Sequence, residues 1–209
     1  MSSSWFSGSS SVKQYRRYRN AGRELNNKII KALVNNEILD EAAQALDLGK
    51  NRQLFVDSED EFSVLMDFAL YEVRRQGKNA VERYQEERGG SNRIERELLA
   101  AMVKARTGLF KMERVSRQKY SLDLQKLVDE EKAITLTDIN FSQTMAQGLV
   151  VFFRPIELPE LTMTSGIAFV FPKERERDLI ARWTRWDSTE HYARFFKLSK
   201  SKGLATMYV

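Results

Sequence analysis

Hydrophobic residues recur at steps of three and four through the first half of the chain, which is the spacing of one face of an α-helix. This spacing predicts a long helix over residues 12–34 and a shorter one over residues 37–46. Ser58 and Glu61 then have the spacing of a capping box, in which each side chain bonds the backbone amide of the other residue. A third helix is therefore predicted to begin at Ser58.

The apolar stripe of the third helix starts at Phe62 and continues to about residue 87, with a gap near Gly77 where a kink is expected. Glycines at positions 89–90 end this helix, and a fourth helix follows whose stripe includes Leu98. Two helices joined by a short turn pack as an antiparallel hairpin. We therefore expect Phe62 and Leu98 in the core of a helical hairpin.

Beyond residue 108 the pattern changes to the alternation of apolar and polar residues that is typical of β-strands. It predicts five short strands, at residues 109–115, 120–124, 134–136, 149–156 and 161–171. A flat sheet this short leaves two vulnerable edges, which favours an antiparallel sheet curled into a small barrel. Pro155 and Pro159 lack an amide donor and are expected at an edge or at strand ends.

Two helices are predicted after the last strand, one from about Lys173 and one capped by the segment from Asp187 to Glu190. The whole sequence thus predicts an α+β fold: an N-terminal helical region with a helical hairpin, a small five-stranded antiparallel barrel-like β unit, and C-terminal helices. The predicted units are a disordered Ser-rich tail at 1–11, the helical region at 12–107, the β unit at 109–172, the C-terminal helices at 173–200 and a tail at 201–209.

The composition is that of an ordinary globular protein, with 42% hydrophobic and 30% charged residues in a chain of 209. The sequence has no Cys and a single His, His191, which excludes disulfide frameworks, thiolate zinc sites, iron–sulfur clusters and Cys nucleophiles. Residues 130–132 have the Glu-x-Lys spacing of some metal-dependent nucleases, but they fall in a predicted turn. We therefore predict no catalytic residue, no metal site and no cofactor.

Two observations bear on location. Residues 1–11 contain neither the cationic start nor the apolar stretch of a signal peptide. The longest apolar run, residues 149–153, ends at Arg154 and is far shorter than the roughly 20 residues of a membrane-spanning helix. We expect a cytoplasmic protein that does not bind a membrane.

Both ends of the chain are basic and its middle is acidic. The formal charge is +6 over residues 1–34 and +4 over residues 173–209, but −6 over residues 35–90. This asymmetry suits an anionic partner such as nucleic acid, and it equally suits pairing of the basic ends with the acidic middle, in one chain or between copies. The sequence leaves both interpretations open.

The candidate nucleic-acid-binding residues lie in the two basic ends, where cations neutralise phosphates and aromatic rings stack on unpaired bases. They are Arg16, Arg17 and Arg19 in the first helix, and Arg182, Trp183, Arg185, Trp186, Arg194 and Lys197 in the last two. The competing interpretation is structural. It makes the C-terminal aromatic residues, which also include Tyr192, Phe195 and Phe196, the buried face of helices that pack on the rest of the protein.

These features lead to three functional hypotheses. The first is a non-catalytic binding or scaffold protein that acts through protein–protein contacts, with a partner protein or a second copy of the chain. The alternative is a nucleic-acid-binding accessory protein that uses its basic N- and C-terminal helices. A metal-dependent enzyme is a distant third, because no set of catalytic residues is found.

Overall fold

The computed structural model describes residues 7–50, 53–130 and 132–204 of the chain. Within them the fold is α+β, with N-terminal helices, one five-stranded sheet and C-terminal helices, as the sequence predicts. Residues 1–6 of the predicted N-terminal tail and residues 205–209 of the predicted C-terminal tail lie outside the described residues.

The helices come mainly before and after the sheet. They are α1 (Ser7–Leu33), α2 (Asn36–Ala45), α3 (Glu59–Tyr71), α4 (Ala80–Glu87), α5 (Arg93–Lys104), α6 (Ile139–Thr144), α7 (Glu176–Arg185) and α8 (His191–Lys202), with 3-10 turns at Lys173–Arg175 and Ser188–Glu190. The first helix begins at Ser7, so part of the predicted N-terminal tail is helical, and the last helix includes Ser201 and Lys202 of the predicted C-terminal tail.

The strands fall where the alternating pattern predicts them. They are β3 (Gly108–Ser116), β4 (Ser121–Lys126), β5 (Ala133–Thr137), β6 (Val150–Glu157) and β7 (Thr162–Phe171), preceded by a two-stranded hairpin of β1 (Gly49–Lys50) and β2 (Gln53–Leu54). The hairpin follows α2, and α6 lies between β5 and β6; neither element is among those that the sequence predicts.

The predicted third helix is two helices. Gln76 and Gly77 have positive φ angles of 54° and 81°, which is left-handed backbone that a helix does not continue through. The chain then restarts at Asn79, which forms a complete capping box with Glu82 and begins α4. The antiparallel hairpin across the Gly-Gly turn is therefore formed by α4 and α5, and α3 packs separately.

This break changes the role of Phe62. The sequence predicts it in the hairpin core, but its side chain is 50% exposed, whereas Leu98 is 1% exposed. Helix α3 buries a different face, which includes Val64, Leu65 and Phe68, against α2 and the sheet. The prediction for Phe62 is wrong because its side chain lies at the exposed start of α3, outside the face that this helix buries.

The five long strands form one sheet in the order β3-β4-β5-β7-β6, which closes in a ring because β6 also pairs with β3. Neighbouring strands are antiparallel except β5 and β7, which are parallel and joined through the pair Leu136 and Thr162. The sheet is therefore mixed: it closes in a ring and four of its five strand pairs are antiparallel as expected, but the β5–β7 pair is parallel. The parallel pair arises because α6 carries the chain from β5 to the far side of β3, where β6 pairs before β7 returns.

The apolar run in β6 is buried on both faces of the sheet. Val151 and Phe153 belong to the cluster inside the ring, while Val150 and Phe152 face the helices outside it. A strand covered on both faces reads as a continuous apolar segment instead of an alternating one. The ring thus contributes to three hydrophobic clusters of the described residues: one internal, one shared with α2, α3, α7 and α8, and one shared with α1, α4 and α5.

The C-terminal aromatic residues form part of the outer core. Tyr192, Phe195 and Phe196 are each at most 3% exposed, and the Phe195 ring stacks on Phe152 with centroids 4.6 Å apart. For these three residues the structural interpretation is confirmed. Their bulk holds α8 on the outer face of the ring.

Truncation of Leu98 should separate its role from that of Phe62. We expect Leu98→Ala to lower the free energy of unfolding by about 2–5 kcal/mol, because it leaves a cavity between α1 and α5. The matched variant Phe62→Ala removes a half-exposed ring and should cost clearly less. Urea denaturation of both variants checks this, and equal losses would contradict the packing of α3.

Candidate functional site

A cavity of about 560 Å³ lies between α1, α3, α5 and the paired ends of β6 and β7. Its volume is in the range of small-molecule sites. Its apolar lining is rich in methionine and includes Met66, Leu70, Met102, Ile156 and Met163. Its polar lining includes Arg19, Arg23, Asn26, Asp67, Thr164 and Ser165.

The cavity exists because the pairing of β6 with β7 is irregular at Pro155. Phe153 pairs with Ala168 and Pro155 pairs with Thr164, so residues 165–167 of β7 lie opposite the single residue Arg154. Pro155 has no amide to donate to a ladder, and a bulge is one of the few places where a sheet accepts proline. The ladder between β6 and β3 ends at Phe153, so Pro155 pairs with β7 alone and lies at an edge of the sheet, as the sequence predicts.

Two contacts fix the bulge against α1. Gly166 has a φ angle of +128°, which L side chains rarely adopt, and a Cβ atom there would lie 3.7 Å from Nη2 of Arg19. The Arg19 guanidinium donates a hydrogen bond of 2.9 Å from Nη1 to the carbonyl oxygen of Thr164. The guanidinium of α1 thus lies directly against the bulged strand.

Three polar atoms of the cavity wall are buried without a hydrogen-bond partner among the described residues. They are Oγ1 of Thr164, Oγ of Ser165 and Oδ1 of Asn26. Thr164 is 0% exposed. A buried hydroxyl without a partner costs about 1–3 kcal/mol, so such groups are rare and call for an explanation. Their grouping in one cavity indicates a place where a ligand supplies the missing bonds.

A buried arginine supports the floor of the cavity. Arg154 of β6 is 2% exposed and donates from Nη1 to Oδ2 of Asp67 over 2.7 Å, and from Nη2 to the Glu72 carboxylate. Its guanidinium carbon also lies 3.9 Å from the centre of the Tyr71 ring. Because Asp67 and Tyr71 line the cavity, the arginine holds that wall of α3 in place.

The ionisation of these groups follows from burial and pairing. Burial disfavours the charged form of Arg154, but the carboxylates of Asp67 and Glu72 outweigh it, so its pKa is raised. Burial raises the pKa of Tyr71. At neutral pH the network therefore holds a cation between two carboxylates beside neutral tyrosine.

A second buried polar pair lies on the other side of α1. Asp138 is 0% exposed, caps α6 and accepts a 3.1 Å hydrogen bond from the Tyr15 hydroxyl. Burial raises the pKa of Asp138, and nearby Arg19 opposes that rise. Burial and the Asp138 carboxylate raise the pKa of Tyr15 to about 12. This pair connects α1 to the start of α6.

The structure separates the arginines predicted in the first helix. Arg16 and Arg17 are exposed on α1, whereas Arg19 is half-buried and lines the cavity. Helix α1 packs in a hydrophobic cluster with α4 and α5, and the C-terminal candidates pack in the cluster of α7 and α8. Of the candidates in the first helix, Arg19 is thus placed in the cavity.

The C-terminal candidates are largely engaged with neighbouring side chains. Trp183 and Trp186 are half-buried, Trp183 on His191 and Trp186 between the guanidinium groups of Arg182 and Arg194. Arg185 is exposed. The ion pairs are Arg182 with Asp178, Arg194 with Glu190 and Lys197 with Asp47, at 2.9, 2.9 and 2.7 Å.

Two of the ion pairs join the basic C-terminal end to the acidic middle of the same chain. Lys197 contacts Asp47 at 2.7 Å and Lys200 contacts Glu61 at 2.5 Å. The charge asymmetry in the sequence is therefore matched in part by pairing within the molecule. This is one of the two interpretations that the sequence leaves open.

The weak catalytic candidates have structural partners. His191 is 4% exposed, and its Nε2 lies 3.0 and 3.2 Å from the carbonyl oxygens of Trp183 and Trp186 at the end of α7. Lys132 forms a 2.7 Å ion pair with Glu157, while Glu131 lies outside the described residues. Across residues 7–50, 53–130 and 132–204 no three His, Cys, Asp or Glu side chains group as metal ligands do.

Sequence reasoning missed the residues that build the cavity, although they carried a signal. Arg154 follows an apolar run in β6, and Asp67 stands in the apolar segment of α3. A charge inside a buried segment needs an opposite charge from elsewhere in the fold. The segment Thr164-Ser165-Gly166 likewise interrupts an apolar strand, which is the mark of a bulge.

The Arg154 network can be tested by a double-mutant cycle. We expect Arg154→Met to cost about 3–5 kcal/mol of unfolding free energy, because it leaves a buried carboxylate without its cation. When Asp67→Leu is added, the total loss should fall short of the sum of the single losses by about 1–3 kcal/mol. Urea denaturation measures all four proteins. Additive losses would show that the pair is not coupled.

The comparisons with known proteins identify the family of the chain and nothing further. No curated protein and no solved structure matches the chain. Among the described residues no helix is both long enough and apolar enough to cross a membrane. A family model does match, over residues 9–209, and its description is a family of unknown function. Because the match covers nearly the whole sequence, the chain belongs to this family, DUF7986.

Proposed function

We propose that this protein is a non-catalytic binding protein whose ligand site is the cavity between α1, α3, α5 and the β7 bulge. The observation that carries the proposal is the Thr164 hydroxyl, which is fully buried in the cavity wall and has no partner among the described residues. The ligand is a small amphipathic molecule, because the lining combines apolar side chains with polar groups whose hydrogen-bonding capacity is unmet.

The apolar wall supports this proposal through its composition. Met66, Met102 and Met163 all line the cavity. Methionine is unbranched and polarisable, so several of them form a surface that adapts to differently shaped apolar groups. Such a wall suits the binding of an aliphatic or aromatic body.

Contact with a partner protein is the second candidate function, and one observation favours it. Leu54, Phe55 and Phe62 are 48%, 55% and 50% exposed, and they fall within one short segment before and at the start of α3. Exposed large apolar side chains grouped in this way mark surfaces that bind other proteins. Phe62 also lines the cavity, so the exposed apolar segment adjoins the candidate ligand site.

The exposed basic residues of the first helix still support nucleic-acid binding as a third candidate function. Arg16, Arg17 and Arg23 are exposed on α1 and are able to contact phosphate oxygens. The pairing of the C-terminal cations with carboxylates of the same chain lowers the positive charge on that side of the molecule. We therefore place this function after the other two.

Blocking the cavity tests the proposal. N-phenyl-1-naphthylamine is a neutral dye that fluoresces in apolar sites. In Gly22→Leu, the Cβ would make ordinary contacts with Met163 and Leu98 at 3.8 and 3.9 Å, and the rest of the side chain would fill the cavity. We expect dye affinity to fall at least about tenfold, which is about 1.4 kcal/mol of binding free energy.

The control for this experiment is Asn20→Leu, which adds the same side chain at an exposed position of α1 outside the cavity. It should bind the dye as the original protein does. Both variants should unfold cooperatively, because leucine favours a helix more than glycine or asparagine does. Equal dye affinity in all three proteins, or no dye binding to any of them, would refute the cavity as a ligand site.

A further inference from the structure

The hydrogen-bonding atoms of the cavity lining indicate the head group of its ligand. We infer that the cavity binds a neutral molecule with an apolar body and a head group that both donates and accepts hydrogen bonds, as a primary carboxamide does. The head group donates to Oδ1 of Asn26 and accepts from the hydroxyls of Thr164 and Ser165, while the apolar body contacts the methionines of the lining. This inference rests on the proposed function, because it names the class of ligand that the cavity takes.

The first argument is the kind of hydrogen bond that each polar atom can make. Oδ1 of Asn26 is an amide oxygen and only accepts, whereas the hydroxyls of Thr164 and Ser165 both donate and accept. All three oxygens are buried and have no hydrogen-bond partner in the part of the chain that the structure describes. A ligand that satisfies them must bring a donor for Asn26 and is able to bring an acceptor for the hydroxyls. A carboxylate has no donor and leaves the Asn26 oxygen unsatisfied.

The second argument is that these oxygens lie where α1 meets β7. Arg19, Gly22 and Asn26 follow one another at steps of three and four and therefore share one face of α1. Arg19 on that face donates to the carbonyl oxygen of Thr164 over 2.9 Å, and a Cβ atom at Gly22 would lie 3.8 Å from the methyl carbon of Met163. The acceptor of α1 and the hydroxyls of β7 thus border the cavity at the contact between these two elements.

The third argument is that the charged groups at the cavity balance one another. Guanidinium groups and carboxylates are present in equal number: Arg19, Arg23 and Arg154, and Asp67, Glu72 and Asp138. Arg154 bonds both carboxylates of α3, and Arg19 lies near the buried carboxylate of Asp138. Arg23 is exposed, so water and salt screen its charge. Neither an anionic nor a cationic head group meets a surplus of opposite charge, which favours a neutral one.

Three competitors of one shape test the head group. Octanamide, octanoate and nonan-2-one each carry a heptyl chain on a carbonyl carbon, which also bears an amino group, an oxygen anion or a methyl group. Each should be titrated against N-phenyl-1-naphthylamine bound to the intact protein, with octylamine as a cation of similar length.

We expect octanamide to displace the dye at a concentration at least about fivefold lower than nonan-2-one, which lacks the donor. Octanoate and octylamine should need at least about tenfold more than octanamide, because their charge is not compensated in the cavity. Nonan-2-one is more apolar than octanamide, so the hydrophobic effect alone predicts the opposite order for this pair.

Asn26→Leu assigns the preference to the acceptor on α1. It replaces the amide by an apolar group of similar size, and leucine favours a helix more than asparagine does. The advantage of octanamide over nonan-2-one should fall below about twofold, because its donor no longer has an acceptor to bond. Asn20→Leu makes the same change at an exposed position outside the cavity and should keep the full advantage.

Thr164→Val tests the hydroxyl and predicts a different pattern. The change removes a buried hydroxyl that has no partner among the described residues, so it should not lower the stability of the fold. It also removes a donor to the carbonyl group that octanamide and nonan-2-one share. Both should need at least about threefold higher concentrations relative to the dye, and the ratio between them should stay as in the original protein.

The outcomes separate this inference from the proposed function. If Gly22→Leu weakens dye binding but octanoate, octylamine or nonan-2-one competes as well as octanamide, the neutral donor and acceptor head group is wrong and the cavity remains a binding site. An octanamide advantage that survives Asn26→Leu would also overturn the inference. Absence of any dye binding would overturn the proposed function and this inference together.

Discussion

The buried guanidinium of Arg154 is the interaction on which the arrangement of helices and sheet depends. A cation that is 2% exposed is stable only if opposite charges meet it, and Asp67 and Glu72 of α3 do so. The Tyr71 ring covers one face of the guanidinium at 3.9 Å. These contacts fix strand β6 relative to helix α3. Replacing either Arg154 or its carboxylate partners by apolar residues would remove them.

The position of Arg154 in the chain links this interaction to the cavity. It is the residue of β6 that faces the three-residue bulge of β7, directly before Pro155. Residues of the bulge line the cavity, and so do Asp67, which binds Arg154, and Tyr71, which covers it. The irregular strand pair and the charged network thus meet at the same cavity wall.

Much of the architecture was predictable from local sequence patterns, because strands, caps and apolar stripes depend on neighbouring residues. The strand positions, the cap at Ser58 and the buried aromatic residues of α8 are of this kind. A kink near Gly77 was expected, but the apolar stripe did not show that the helix ends as early as Tyr71 and restarts at Ala80. The local stripe likewise indicated a core position for Phe62, but Phe62 is half-exposed because it lies outside the face that α3 buries.

The candidate site was less predictable than the fold because its members are distant in sequence. Asp67 and Arg154 are 87 positions apart, and Arg19 and Thr164 are 145 apart. Composition and spacing single out a charge in an apolar segment, but they do not say which opposite charge meets it. Among the predicted binding residues of the first helix, Arg19 lines the cavity because its position on α1 lies against the bulge of β7.

The most direct test of the cavity is nuclear magnetic resonance of methionine methyl groups during titration with N-phenyl-1-naphthylamine. Met66, Met102 and Met163 line the cavity, whereas Met112 and Met145 lie inside the ring and serve as internal controls. The account predicts that the first three resonances shift with a common binding curve while the other two stay in place. Resonances that stay unchanged in the cavity, or that shift equally inside the ring, would contradict it.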